Sequence, residues 1–179
     1  MTEGLPLSHS YNLARLGNAG DQVHFAADAG SRAAIARWSG VVSVEKLEAR
    51  VEIRKISPTR FGLAFHLVAD VTQSCVVSLE PVASHMERNF ERELHFAGAA
   101  VRHKATESAP ELVLDSDPEE GPEEITSLHY DLAVPVLEEY ALSLEPYPRR
   151  PGVEFAVKTD PEEAPESPFA VLKGLKTGL

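Results

Sequence analysis

Histidine and cysteine are the side chains in this chain that could ligate a metal ion or act as a nucleophile. There are seven histidines and a single cysteine, Cys75. The histidines show neither an HExxH motif nor paired ligand spacing: His9, His24, His66, His85, His95, His103 and His129. The nearest approach to a pair, His66 and Asp70, is spread over about 13 Å of an extended strand, too far to share a metal ion. We therefore expect no metal site and no cofactor.

Motifs of nucleotide binding and nucleophilic catalysis are also missing from the sequence. It contains no P-loop, no GxGxxG and no GxSxG. One cysteine excludes an intramolecular disulfide and a multi-cysteine zinc site. Cys75 stands within "TQSCVVSLEPV", at a predicted strand position facing the apolar side, which favours a buried structural thiol over a reactive one. The sequence therefore predicts a protein that is not an enzyme.

Charge is distributed unevenly along the 179 residues, whose net charge is −11. Residues 1–105 carry 12 Lys and Arg against 11 Asp and Glu, whereas residues 106–179 carry 5 against 17. A chain this acidic repels phosphates, so we expect no tight nucleic-acid binding through phosphate contacts alone. No apolar run spans a membrane, and the first residues lack a signal-peptide pattern. We expect a cytoplasmic protein.

Local basic positions and a terminal apolar segment remain as candidate contacts to RNA or to a protein partner. The arginines of the third long strand fall on its more apolar face, and other basic residues cluster after it, after the last helix and near the C-terminus. The candidates are Arg88, Arg92, Arg102, Lys104, Arg149, Arg150, Phe169, Leu172, Lys173 and Lys176. Surface charge is the alternative explanation for each basic residue.

Alternating apolar and polar residues predict the strands that must position these side chains. In 41–56, Leu47, Ala49, Val51 and Ile53 share one face, and an even longer alternating run covers 61–72. A third alternating run covers 82–96, and two short strands precede the first helix. Strands joined by short turns indicate an antiparallel sheet of about five or six strands.

Two packed helices and a short C-terminal helix are predicted beside this sheet. Asp28 and Gly40 bracket a helix near 29–38, and Asp131 is a candidate N-cap for a helix near 132–144. Pro135 fits the first turn, where its missing N–H has no helical partner. Ser167 and Pro168 would start a helix near 168–175. The fold class is therefore α+β, in a single domain.

Two segments of the chain, one internal and one C-terminal, are rich in acidic residues. Residues 105–124 hold eight acids, no base and three prolines, which predicts a flexible loop. Residues 158–179 combine an acidic linker with a short apolar and basic end, "PFAVLKGLK". This end is expected to dock either on its own domain or on a partner, since a helix so short is marginal alone.

Three stretches of the sequence resemble one known family. "ADVTQSCVVSLEPV" (69–82), "DLAVPVLEEYALSLEPYPRRPG" (131–152) and "PFAVLKGLK" (168–176) are similar to the YceD family, also called the large ribosomal RNA subunit accumulation protein family. The first two look most like its alphaproteobacterial branch. Many relatives carry Cys-x-x-Cys where this chain has Cys75 and Ser78, so a metal or redox role taken from those relatives fails here.

The resemblance implies a non-enzymatic bacterial cytoplasmic factor in large-subunit biogenesis that promotes accumulation or processing of 23S ribosomal RNA. Its expected partner is 23S RNA or a large-subunit precursor, reached directly or through a ribosomal protein. A second hypothesis is a protein-binding adaptor or chaperone whose acidic loop holds a basic client. The sequence does not choose an oligomeric state.

Overall fold

The computed structural model describes residues 4–98 and 121–153 of the chain. In chain order the elements are β1 (Ser10–Asn12), a short 3-10 turn (Leu13–Arg15), β2 (Asp21–Ala26), α1 (Ala29–Ser39), β3 (Ser43–Lys55), β4 (Arg60–Ser74), β5 (Pro81–Phe96), β6 (Glu123–Ile125), β7 (His129–Asp131) and α2 (Ala133–Ser143). The α+β class predicted from the sequence is confirmed.

The main sheet has five strands in the order β2-β3-β4-β5-β6. The first four are antiparallel neighbours, as the alternating sequence predicts, but β6 lies parallel to the end of β5. The sheet is therefore mixed, which corrects the expectation of a purely antiparallel sheet. Glu123 and Glu124, the last two residues of the predicted acidic loop, form part of β6, and 105–120 lie outside the described residues.

A second, two-stranded sheet joins distant parts of the chain. β1 pairs antiparallel with β7, and not with β2 as neighbouring strands in the sequence would suggest. Asp131 holds this junction, because its carboxylate accepts hydrogen bonds from Ser8 Oγ (2.6 Å), His9 N (2.7 Å) and Ala133 N (3.0 Å). Burial raises the pKa of Asp131, but these hydrogen bonds outweigh it and the pKa lies below its usual value. The N-cap position of α2 is held by Leu132, not by Asp131 as predicted, but the carboxylate of Asp131 still accepts from the first helical residue, Ala133, while it fixes the N-terminal strand.

One apolar face of the sheet forms the core together with both helices. The predicted inward residues of β3 and β4 are buried, and Ile35 of α1 and Val136 of α2 belong to the same cluster. Asp28 caps α1 through a bond from Ser31 N (2.7 Å), and Gly40 ends it in the left-handed conformation (φ 70°). The i, i+3 spacing of Ile35 and Trp38 predicts that both lie on one face of α1, packed on the sheet, but Trp38 is 46% exposed while Ile35 is buried.

The two helices are joined by a polar contact at the edge of the core. Tyr140 of α2 is completely buried, and its hydroxyl lies 3.3 Å from Ser39 Oγ at the end of α1. Pro135 lies in the first turn of α2, as predicted from its missing N–H. The predicted helix near 168–175 lies outside the described residues.

The opposite face of the sheet faces away from both helices. It carries the even-numbered residues of β3 from Lys46 onward, after a register shift next to the buried Val44, the even-numbered residues of β4 and the odd-numbered residues of β5, and we call it the open face. Near the β3–β4 hairpin Gly62 has no Cβ, and one placed there would lie 2.8 Å from Arg54 Nε. The guanidinium of Arg54 therefore crosses β4 and reaches to 3.9 Å from Glu91 on β5.

Candidate functional site

The connection between β4 and β5 is built around Cys75. The thiol is 0% exposed, and Sγ accepts backbone hydrogen bonds from Ser78 N (3.4 Å) and Arg150 N (3.4 Å). Hydrogen bonds from Ser78, followed by the backbone N–H of Arg150, lower the pKa of Cys75 to about 6. The expectation of a buried thiol is confirmed, but Cys75 lies in the turn after β4 and not in a strand.

The chain that leaves α2 closes over this turn. Val76 N donates to Pro148 O (2.9 Å), and Arg150 forms an ion pair with Glu80. Leu79, in the same turn, has a left-handed backbone conformation (φ 62°), and the residue is 77% exposed. We call residues 75–80 together with 145–150 the cysteine turn. It unites two of the three stretches that carry the family resemblance.

The predicted basic contacts that the structure describes fall into two groups. Arg88 and Arg92 lie on β5, where Arg88 Nε donates to Ser143 Oγ (3.1 Å) and Arg92 lies 3.6 Å from Glu138 of α2. Arg149 and Arg150 belong to the segment that closes the cysteine turn. Arg102 and Lys104, with the terminal candidates Phe169, Leu172, Lys173 and Lys176, lie outside the described residues. The arginines of β5 are thus engaged mainly with α2.

Two histidines of the open face, His66 and His85, each have a hydrogen-bond partner on the neighbouring strand and not on their own strand. A polar row crosses four strands in register: His24, Arg50, His66 and Asn89. His66 Nδ1 lies 2.9 Å from Asn89 Oδ1, and His85 Nδ1 lies 2.6 Å from Asp70 Oδ1. His66 and Asp70 therefore do not share a site. Within 4–98 and 121–153, no group of three or more His, Cys, Asp or Glu side chains is arranged to hold a metal ion.

Acidic residues outnumber basic ones on the open face. The carboxylates are Glu48, Glu52, Asp70, Glu87, Glu91 and Glu93. The bases are Lys46, Arg50, Arg54 and Arg60. All of the bases lie on β3 and β4, so the outermost long strand, β5, carries only acids among its charged open-face side chains. Such a face does not offer a strip of positive potential to phosphates.

An acidic cleft of about 470 Å³ adjoins this part of β5. Its walls come from β5, from β6 and from the first turns of α2, and their charged side chains are Glu91, Glu93, Glu123 and Glu138 with one cation, Arg92. Arg92 lies 3.6 Å from Glu138, so the lining of the cleft carries a net negative charge. The ring of Tyr130 lines it as well, and the Tyr130 hydroxyl donates to Glu123 Oε2 (3.1 Å). Burial, followed by the charge of Glu123, raises the pKa of Tyr130. Carboxylates around an aromatic ring suit a Lys or Arg side chain.

Sequence reasoning missed this cleft because its residues are far apart in the chain. Glu91 and Glu93 belong to β5, Glu123 falls within the predicted flexible loop, and Glu138 belongs to α2. The parallel pairing of β6 with β5, from Leu94↔Glu123 to Phe96↔Ile125, brings these acids together. The acidity of 105–124 was the only sequence signal that pointed to this end of the sheet.

Comparisons with known proteins give no relative for this chain: no protein-family model, curated protein or solved structure matches it. Among the residues that the structure describes, no helix is long and apolar enough to cross a membrane.

Proposed function

We propose that this chain is a non-enzymatic factor in large ribosomal subunit biogenesis that promotes accumulation or processing of 23S ribosomal RNA. The proposal starts from the resemblance of three stretches to the YceD family. The observation that carries it is the cysteine turn, in which two of those stretches, 69–82 and 131–152, bond to each other through Cys75, Val76 and Arg150. Two stretches that resemble the same family also contact each other in the fold. This supports a common origin with that family better than two resemblances in unconnected parts of the structure would.

The proposed setting is the bacterial cytoplasm, where large-subunit precursors are assembled. The acidic open face and the net charge of −11 argue against RNA recognition through a broad basic surface. We propose that contact with the precursor passes through a ribosomal protein or through a small number of basic residues outside the open face.

A second function, an adaptor or chaperone for a basic protein client, is favoured by the acidic cleft. Four carboxylates, one arginine (Arg92) and the ring of Tyr130 line a concave site beside β5, whose net charge is negative. Ribosomal proteins are a suitable class of client, because long basic segments must be kept from unspecific contacts before they reach RNA. In this case the effect on 23S RNA follows indirectly from the supply of the client.

Deleting the gene and measuring the ratio of 23S to 16S RNA tests the first function. We expect the ratio to fall and to recover when the wild-type chain is supplied. An unchanged ratio, in cells grown at several temperatures, would contradict the proposal.

A pull-down of the tagged full chain, with and without nuclease, separates the two functions. Partners that are lost on nuclease treatment indicate contact through RNA. Basic proteins that stay bound after the treatment indicate a protein client.

A further inference from the structure

The outer edge of β5 carries backbone groups that no described strand pairs with. β5 is 16 residues long, but β6 pairs only with Leu94–Phe96. Residues 81–93 form the remaining edge, which we call the β5 edge; it spans roughly 40 Å at the usual rise per residue. A long unpaired edge is a ready template for another extended chain.

The hydrogen-bond pattern identifies the backbone groups that point outward. Phe96 N donates to Thr59 O (2.7 Å), a pair that continues the β4–β5 register. Hydrogen-bonded pairs alternate along an antiparallel ladder, so even-numbered residues of β5 bond to β4 and odd-numbered ones direct their N–H and C=O outward. The bond from Ala97 N to Ile125 O (3.1 Å), on the β6 side, agrees with this alternation. The outward groups of the β5 edge are those of Ala83, His85, Glu87, Asn89, Glu91 and Glu93.

The charge of the side chains along the β5 edge determines which kind of chain can pair with it. The side chains of those odd-numbered residues lie on the open face, where Glu87, Glu91 and Glu93 are acidic and no Lys or Arg of β5 accompanies them. Their partners within the chain come from inner strands: His66 lies 3.6 Å from Glu87, Arg54 lies 3.9 Å from Glu91, and Arg60 contacts Glu93. The first two of these pairs are long and exposed, so they contribute little and leave the carboxylates able to accept a further donor.

The end of the edge leads into the acidic cleft. β6 begins opposite Leu94, where the free edge stops, and Glu91 and Glu93 line both the edge and the cleft. On the other face of β5, Phe90 packs against Phe65 (ring centroids 4.7 Å apart) and lies between Arg88 and Arg92. The two guanidinium groups are turned to α2, where Arg88 bonds to Ser143 and Arg92 lies 3.6 Å from Glu138, so the half-buried ring of Phe90 is the apolar contact that this face offers to an added strand. A fitting chain therefore alternates basic residues with apolar ones and ends with a Lys or Arg in the cleft.

We propose that the β5 edge and the acidic cleft bind an extended, basic segment of a partner protein as an added strand. This docking mode deepens the second proposed function, on which it rests for the identity of the client as a ribosomal protein. A second copy of this chain is a poor occupant, because two acidic edges would face each other and like charges opposite one another destabilise a sheet.

Peptide binding to the full chain tests the proposal directly. The probe is a fluorescent peptide of alternating Lys and Val, as long as the β5 edge. Two control peptides of the same length are used. One alternates Glu and Val, and the other has the Lys–Val sequence with a backbone N-methyl group on every second residue. We expect the Lys–Val peptide to bind and both control peptides to fail, since one lacks the charge and the other lacks the donors for pairing. Equal binding of the N-methylated peptide would overturn the proposal.

Charge-reversal variants locate the site. The double variant Glu87→Lys, Glu91→Lys should weaken Lys–Val peptide binding by about tenfold or more, a change of about 1.4 kcal/mol. The matched control is Glu48→Lys, Glu52→Lys, which makes the same change of charge on the same face but in the inner strand β3. Equal losses in both double variants would mean unspecific attraction and would overturn the assignment to the β5 edge.

Hydrogen exchange separates strand addition from a purely ionic contact. In the free full chain the amides of His85, Glu87, Asn89 and Glu91 should exchange fast, and the peptide should protect them while the even-numbered amides of β5 stay protected throughout. Peptide binding without this alternating protection would overturn the proposal. Protection of these amides in the free chain would overturn it as well. Protection that does not change with protein concentration would mean that the chain's own residues cover the edge, and protection that rises with concentration would mean that a second copy does.

The two proposals fail separately. If the peptide does not bind but deletion of the gene lowers the ratio of 23S to 16S RNA, only the docking mode is wrong. If the peptide binds as expected but the RNA ratio is unchanged, the docking mode stands and the ribosomal role is wrong.

Discussion

Cys75 is an ionisable group held inside a turn by hydrogen bonds from the backbone. Two N–H groups point at Sγ, and the side chain has no exposed surface. Burial alone would favour the neutral thiol, whereas the donors favour the thiolate, and the donors prevail. The low pKa does not make Cys75 reactive, because a nucleophile also needs access.

The stability of the fold should depend on pH through this thiol. The pKa of Cys75 is about 6 in the folded chain against an ordinary value of 9.0, so the unfolded chain binds the proton more readily. The stabilisation is therefore fully present above about pH 9 and is lost as the pH falls through about 6. Urea unfolding at several pH values should show the gap between the wild type and Cys75→Ser widening from pH 6 to pH 9. A constant gap would contradict the assignment.

Replacing Cys75 also tests the turn itself. Cys75→Ala leaves the N–H groups of Ser78 and Arg150 without their acceptor, whereas Cys75→Ser retains an acceptor atom. We expect the alanine variant to have the lower midpoint of urea unfolding. The opposite order would mean that the packing of sulfur, rather than hydrogen bonding, dominates.

β4 is the element on which the sheet depends, because it lies between β3 and β5 and pairs with both along nearly its whole length. Its inward residues are buried from Phe61 to Val71. On the open face, β4 carries two residues with little or no side chain, Gly62 and Ala64, which lie between the long side chains of β3 and β5. This contrast makes β4 the place where burial and exposure can be compared within one sheet.

Alanine substitutions on the two faces should differ strongly in free energy of unfolding. Phe65→Ala or Leu67→Ala should cost about 2–5 kcal/mol, because each leaves a cavity in the core. Glu52→Ala or Arg54→Ala, on the open face of β3, should cost under about 0.5 kcal/mol. Urea unfolding measures both. Similar costs on the two faces would contradict the register described here.

At the scale of the whole molecule, acidity is spread over the sheet and is not confined to the loop. The described residues hold twelve Lys and Arg against sixteen Asp and Glu, and the acids gather at β5, β6 and α2. The field of the folded part therefore repels phosphates on this side and attracts basic chains.

The purified full chain should bind generic RNA poorly. We expect a dissociation constant no tighter than about 10⁻⁴ M at physiological salt, the weak end of unspecific nucleic-acid binding. Electrophoretic mobility shift at several salt concentrations measures it. Binding below about 10⁻⁶ M would show that a basic surface outside the described residues dominates, and would favour direct RNA recognition.

The sequence by itself determined the elements and their buried faces. Period-two alternation identified β3, β4 and β5 with the correct inward residues, because side chains of a strand alternate by geometry. Asp28, Gly40 and Pro135 marked the helices, because caps and proline act within one turn of the chain. Trp38 was misplaced, since helical spacing shows which residues share a face but not how wide the covered face is.

Only the tertiary structure decided which distant residues meet. The pairing of β1 with β7, the parallel β6, the closure of 145–150 over Cys75 and the acidic cleft all depend on contacts between residues far apart in the chain. No local pattern encodes these contacts, because their free energy comes from burial and hydrogen bonds that form only when the chain has folded. For the same reason, the free edge of β5 could not be read from its alternation: a strand at an edge and a strand inside a sheet alternate alike.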